Sequence, residues 1–203
     1  MPKIDKYLSV LIAIVFIMIN ACGSKDYYPK PKGYNRIELP EHAYKHMPDT
    51  LPYKFEISNQ AQLIKDSSWN TQPYWTILSY PEHKAMVEFT YYPVNDDEKF
   101  LRSIITDAYT LTSKHQVKAS AIEESIVQTP NGKTASISEL EGEVPSQVQF
   151  FVTDSSKHFL RGALYFQTST KNDSLAPVIN YIKKDILHLL NTLQWKEEYA
   201  TTS

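Results

Sequence analysis

The spacing of apolar residues changes several times along the chain, and each change marks a structural element. Tyr53, Phe55 and Ile57 alternate with polar residues, the period-two pattern of a half-buried strand. Gln60 to Lys65 is expected to pair with this run through a turn at Ser58-Asn59. Tyr74 to Tyr80 and Lys84 to Tyr92 predict a hairpin around Pro81-Glu82-His83, with Ala85, Val87, Phe89 and Tyr91 on one face. The period then lengthens. Asn95-Asp96-Asp97 opens a helix, because short acidic side chains cap free amides and complement the helix dipole. Phe100, Leu101, Ile104, Ile105, Ala108 and Leu111 recur at helical spacing as far as Lys114 and form one stripe that should cover a sheet. Four strands follow, at Ala119 to Gln128, Lys133 to Glu141, Ser146 to Thr153 and Lys157 to Gln167. Pro130-Asn131-Gly132 turns the first pair and Asp154-Ser155-Ser156 the second.

The last of these hairpins carries the densest strand signal. Val148, Phe150 and Val152 share a face of one arm, and Leu160, Leu164 and Phe166 share a face of the other, with Gly162 between. It is expected at the centre of the sheet. Asp173-Ser174 caps a final helix whose stripe runs through Leu175, Val178, Ile179, Ile182, Ile186, Leu189, Leu190 and Leu193 to Trp195. Pro177 is expected in its first turn, where a missing N–H costs nothing. Strands, a helix, four strands and a helix indicate an α+β fold. It is a mostly antiparallel sheet of about six to eight strands with two amphipathic helices packed on it. The element order resembles that of the photosystem extrinsic protein PsbP, a likeness of architecture that implies no function.

The N-terminal run Leu8 to Ile19 is apolar apart from Ser9, and is too short to span a bilayer comfortably. Lys3 and Lys6 precede it, and Ala21 follows, which makes a secretory signal peptide. Ile19-Asn20-Ala21-Cys22 resembles the lipobox of bacterial lipoproteins, in which the cysteine takes the lipid and becomes the new N-terminus. Asn20 departs from the small or aliphatic residue usual at that position. The expected division is a signal peptide at 1–21, a lipidated Pro/Tyr-rich tether at 22–52, one α+β domain at 53–196 and a flexible tail at 197–203. Tyr27, Tyr28, Tyr34, Ile37, Leu39 and Tyr44 are too many apolar groups for a solvated linker, so the latter part of the tether should lie against the domain.

Charge and composition narrow the chemistry. The formal charge is -2 for the whole chain, and removing Lys3, Asp5 and Lys6 leaves -3, which offers no basic footprint for nucleic acid. Cys22 is the only cysteine, so once lipidated it leaves no thiol for disulfide, metal or redox work. Five glycines, none in a phosphate-cradling loop, argue against a nucleotide cofactor. The 14 tyrosines suit a sheet, and any on the surface suit contact with proteins or sugars.

Several polar groupings have the residue types of a site. His42 and His46 lie four apart and could share an ion on a helix, but Pro40 and Pro48 leave little room and no third ligand is evident. Solvated tether histidines are the expectation. Asp154, Ser155, Ser156 and His158 offer the residue types of a hydrolytic triad, but a triad is a matter of geometry, and Asp and Ser are ordinary turn formers. Asp185 and His188 read as an exposed helical pair, and Glu139, Glu141 and Glu143 as a solvated strand face. Arg161, in an apolar strand, should pair with a carboxylate, with an interface role as the alternative.

Larger stretches carry a family likeness. DYYPKPKGYNRIELPEHAY and LPYKFEI follow the lipobox, and QPYWTILSYP comes next. SQVQFFVTDSSKHFLRGALYFQT and NDSLAPVINYIKKDILHLLNTLQW come later. Together they resemble the gliding motility lipoprotein GldD family over nearly the whole mature chain. The resemblance implies a cell-envelope lipoprotein needed for gliding, linked to type IX secretion and working among other gliding-motility lipoproteins and secretion-machinery proteins. It supplies no catalytic, cofactor or metal-binding residues. The expectation is a non-enzymatic assembly or structural factor attached to membrane through Cys22. Gly23, in place of a retaining aspartate, points to the outer membrane, and GSKDYY after Cys22 lacks the acidic run associated with surface display, which places the domain facing the periplasm. A periplasmic lipid- or glycan-binding domain, or an envelope hydrolase using His158, are the alternatives.

Overall fold

The computed structural model describes residues 37–115, 117–167 and 172–196. The expected signal peptide, Cys22, the first part of the expected tether and the expected tail lie outside the described residues. The frame is a seven-stranded antiparallel sheet in the order β4-β5-β6-β10-β9-β8-β7. Its strands are β4 (Gln62–Lys65), β5 (Thr76–Tyr80), β6 (Ala85–Pro93), β7 (Ala119–Gln128), β8 (Thr134–Gly142), β9 (Ser146–Thr153) and β10 (His158–Phe166). β10 is the middle strand, so the expected central hairpin is central. Two helices, α1 (Glu98–Ser113) and α2 (Asn172–Thr192), complete an α+β fold. Two small ribbons pair β1 (Tyr44–His46) with β3 (Glu56–Ser58), and β2 (Tyr53–Lys54) with β11 (Gln194–Trp195).

Strand alternation divides the sheet into two unlike faces. One row crosses it from Thr76 through Phe89, Gly162 and Phe150 to Ile137. These residues face α2, whose Val178, Ile182, Ile186, Leu189 and Leu190 join the same buried core. Gly162 is required in this row. A Cβ there would lie 2.2 Å from the Phe150 ring, and that ring is itself buried. The smaller core beneath α1 consists of Val94, Leu101, Ile104, Ala108 and Phe159. Asp97 caps α1 by accepting hydrogen bonds from the amides of Lys99 and Phe100. Because α1 covers so little of the sheet, Phe100 and Leu111 stay exposed, and the working stripe is narrower than the spacing predicts.

Two further expectations fail. Gln60 to Lys65 does not pair with the Tyr53–Ile57 run, because both parts of that run have other partners. β2 binds β11 and β3 binds β1. β4 instead forms the sheet edge against β5, setting Leu63 opposite Leu78. Pro177 lies in the second turn of α2 rather than the first, because the helix already starts at Asn172. Residues Ile37 to Pro52 run over the domain, with Met47 and Leu51 buried in the main core.

Candidate functional site

Two polar clusters stand out, one on each side of the sheet. The first joins the strap of residues 42–46 to α2. Tyr181, Asp185 and His188 are spaced at about one and two helical turns, so they share one face of α2. On the strap, β spacing sends His42, Tyr44 and His46 to a common side. The two sets interdigitate. The His42 ring stacks on Tyr181 at 4.2 Å between centroids, and Tyr44 stacks on His188 at 3.6 Å. Asp185 is buried and takes two contacts, His42 Nδ1 at 2.7 Å and the Tyr80 hydroxyl, which donates at 3.2 Å. His188 Nε2 lies 2.7 Å from Glu56 Oε2, and His46 Nδ1 lies 3.8 Å from the other oxygen of Glu56. Burial, and then the Asp185 carboxylate, push the Tyr44 hydroxyl up to about 12. The same causes raise Tyr80 and Tyr181.

This cluster corrects two expectations. His42 is not a solvated tether histidine but is held by Asp185, whereas His46 is solvent-exposed as expected. Asp185 is not exposed. It stands inside the apolar stripe of α2 because Tyr80 and His42 supply partners there. A carboxylate inside an otherwise apolar helical stripe is the signal that could have revealed it.

The turn at 154–157 does structural work. Asp154 Oδ1 accepts hydrogen bonds from the backbone amides of Ser156, Lys157 and His158. Ser155 takes the positive φ that closes the hairpin, 67°. His158 points away from these serines, is buried, meets the Tyr91 hydroxyl through Nδ1 at 2.8 Å and stacks on Trp195. Asp154, Ser155, Ser156 and His158 are therefore not assembled as nucleophile, base and orienting acid. Glu139 pairs with Lys183 of α2, while Glu141 and Glu143 remain exposed.

The second cluster lies on the α1 side. Arg161 is half-buried, and its Nη2 donates to Gln149 Oε1 at 2.6 Å. The expected carboxylate partner is replaced by this amide, because the neighbouring strand places Phe151 and Gln149 beside the arginine. Thr112 of α1 also donates to Gln149 Oε1, at 3.2 Å. Gln149 is 2% exposed, and its Nε2 has no acceptor among the described residues. The guanidinium influences its surroundings. It helps to hold His115 below the usual histidine range, after burial, and it opposes the burial that raises Glu88 and Tyr165. Gln149 escapes sequence reading because glutamines are common on exposed strand faces. Only the placement of α1 above it makes it buried.

Comparison with curated proteins gave no match. Among solved structures the chain is similar to cyanobacterial PsbP (CyanoP) from Synechocystis sp. PCC 6803. The TM-score is 0.46 at 9% identity, over 80% of this chain and 98% of that one. The family model described as gliding motility lipoprotein GldD matches residues 24–195. That match runs from near the expected lipidation site to the last strand, and so the chain belongs to the gliding motility lipoprotein GldD family.

Proposed function

We propose that this lipoprotein is a non-enzymatic assembly factor of the gliding apparatus and of the type IX secretion machinery linked to it. The observation that carries the reading is the family match over residues 24–195. Membership of a lipoprotein family carries membrane anchoring in the cell envelope. Cys22 would take the lipid, Gly23 after it favours the outer membrane, and the lack of an acidic run in GSKDYY favours a domain in the periplasm. The partners would be other gliding-motility lipoproteins and secretion-machinery proteins. Within the domain, the strap is held to α2 by His42–Asp185 and Tyr44–His188.

A clean deletion strain tests this reading. Loss of both spreading and adhesin secretion is expected, and normal spreading and secretion would contradict it. Reintroducing the chain with Ser155→Ala and Ser156→Ala should restore both, since these serines only shape a turn. Failure of that variant to restore them, at normal protein level, would favour an envelope hydrolase.

A further inference from the structure

The two edges of the main sheet differ. β4, at one end, has four residues. β7, at the other, has ten and pairs only with β8. At the usual rise per residue this edge is roughly 30 Å long. None of its residues is buried, and Ile126 is 74% exposed. On the side of residues 120–128 away from β8, the backbone N–H and C=O groups meet no partner among the described residues. Proteins usually blunt such an edge with proline, lysine, a bulge or a covering segment. Residues 120–128 contain neither proline nor lysine. The register shift in this pair falls between Ala119 and Ala121, so the ladder from Ala121 to Gln128 is regular.

Register decides what stands along the edge. Ile122, Glu124 and Ile126 lie opposite Leu140, Ser138 and Ser136, and share the α1 face of the sheet. Glu123 lies opposite Glu139 on the α2 face. Glu139 is paired with Lys183, but no lysine or arginine among the described residues pairs with Glu123 or Glu124. A regular row of backbone donors and acceptors matches another extended backbone, so the fitting occupant is a polypeptide. The two glutamates decide which one. In a two-fold antiparallel pairing with a second copy, centred on the strand, Glu123 or Glu124 meets its own counterpart. Like charges directly opposite each other are destabilising, so the edge is set against itself. We propose that β7 accepts an added strand from a partner protein, with basic residues opposite Glu123 and Glu124 and apolar residues opposite Ile122 and Ile126. Laid antiparallel from Ile126 to Ile122, that strand reads apolar, neutral, basic, basic, apolar. The inference stands on the edge alone and does not depend on the assembly role proposed above.

The test titrates the ¹⁵N-labelled full chain in detergent with three short capped peptides, and follows backbone amide shifts and hydrogen exchange by NMR. The first peptide carries Val-Thr-Lys-Lys-Val at its centre. The second has glutamates in place of the lysines. The third keeps the lysines but has alternate backbone amides methylated, which removes the donors a strand needs. Saturable shifts along 120–128 with the first peptide, with slowed exchange at alternate amides there, support the proposal when the other two peptides give neither. Glu124→Lys should weaken binding of the lysine peptide roughly tenfold, because a favourable cross-strand pair becomes a like-charge pair. The same variant should gain affinity for the glutamate peptide. Glu123→Lys, also at an exposed position, gives a second measurement with the same expected direction. No shift at β7 with the lysine peptide, equal shifts with the lysine and glutamate peptides, or full binding by the methylated peptide would overturn the proposal. Full affinity in both variants would overturn it too. A dimer of the unbound chain in which the β7 amides are already protected would replace the partner strand with a second copy.

Discussion

On the α2 side of the sheet, Leu78, Val87, Phe89, Phe150, Leu160 and Leu164 close a continuous dry core with the helix and with Tyr53 and Phe55. On the other side the same strands carry Glu88, Arg161, Gln149, Ser136 and Ser138, and α1 covers only a small apolar patch among them. Alternation along one set of strands thus produces one face that is mainly apolar and one that carries polar groups and a charge. The difference teaches where change is tolerated. Removing apolar atoms from the first face leaves a cavity in packed surroundings, whereas apolar positions at the β7 edge of the second face, such as Ile126, are already open to solvent.

The sharpest way to break this contrast is Phe89→Ala. Phe89 is 1% exposed, and its loss should cost about 3–5 kcal/mol in urea unfolding. Ile126→Ser, on the other face of the β7 edge, should change stability by no more than about 0.5 kcal/mol, because Ile126 is 74% exposed. Equal costs would dissolve the distinction. Gly162→Ala comes next. Its new methyl would strike the Phe150 ring, so a loss of about 1–3 kcal/mol is expected. Trimming the obstacle with Phe150→Leu in the same chain should recover part of that loss, and the double variant being worse than the sum would refute the steric explanation.

Asp185→Ala should cost a further about 1–3 kcal/mol by leaving the buried Tyr80 hydroxyl without its acceptor. It should also speed hydrogen exchange through Ala43 to Met47, because His42 loses its hold. Unchanged exchange there would mean that the strap is kept in place by packing alone. The smallest effect concerns pH. The Tyr44 hydroxyl has a folded value of about 12 against an ordinary value of 10.0. Its contribution to stability is complete below pH 10 and is lost as pH rises through the folded value, since the unfolded chain releases that proton first. Stability measured from pH 9 to pH 12 should therefore fall, and fall less steeply in Tyr44→Phe.

Periodicity made most of the fold legible. The central position of the 146–167 hairpin follows from two apolar arms joined by a turn, and Asp97 acts as the helix cap its position suggests. What periodicity cannot give is the partner of a short strand. β2 is claimed by β11 from the far end of the domain and β3 by β1 from just upstream, so the expected pairing of β4 does not form. The clusters were hidden for the same reason. Asp185 meets His42 across 143 positions, and Arg161 meets an amide because of strand register rather than local sequence. Arg161 was conspicuous in the sequence, but Gln149 became so only with α1 above it.

Whether the open side of the sheet beside α1 is the one that meets the partners we propose is tested most directly by photo-crosslinking in intact cells. p-Benzoylphenylalanine is placed at position 109, on the exposed side of α1, or at position 184, an exposed site on the outer side of α2. A discrete protein adduct from position 109 and none from position 184, at equal protein levels, is the predicted result. An adduct from position 184 alone, or none from position 109, would contradict the account.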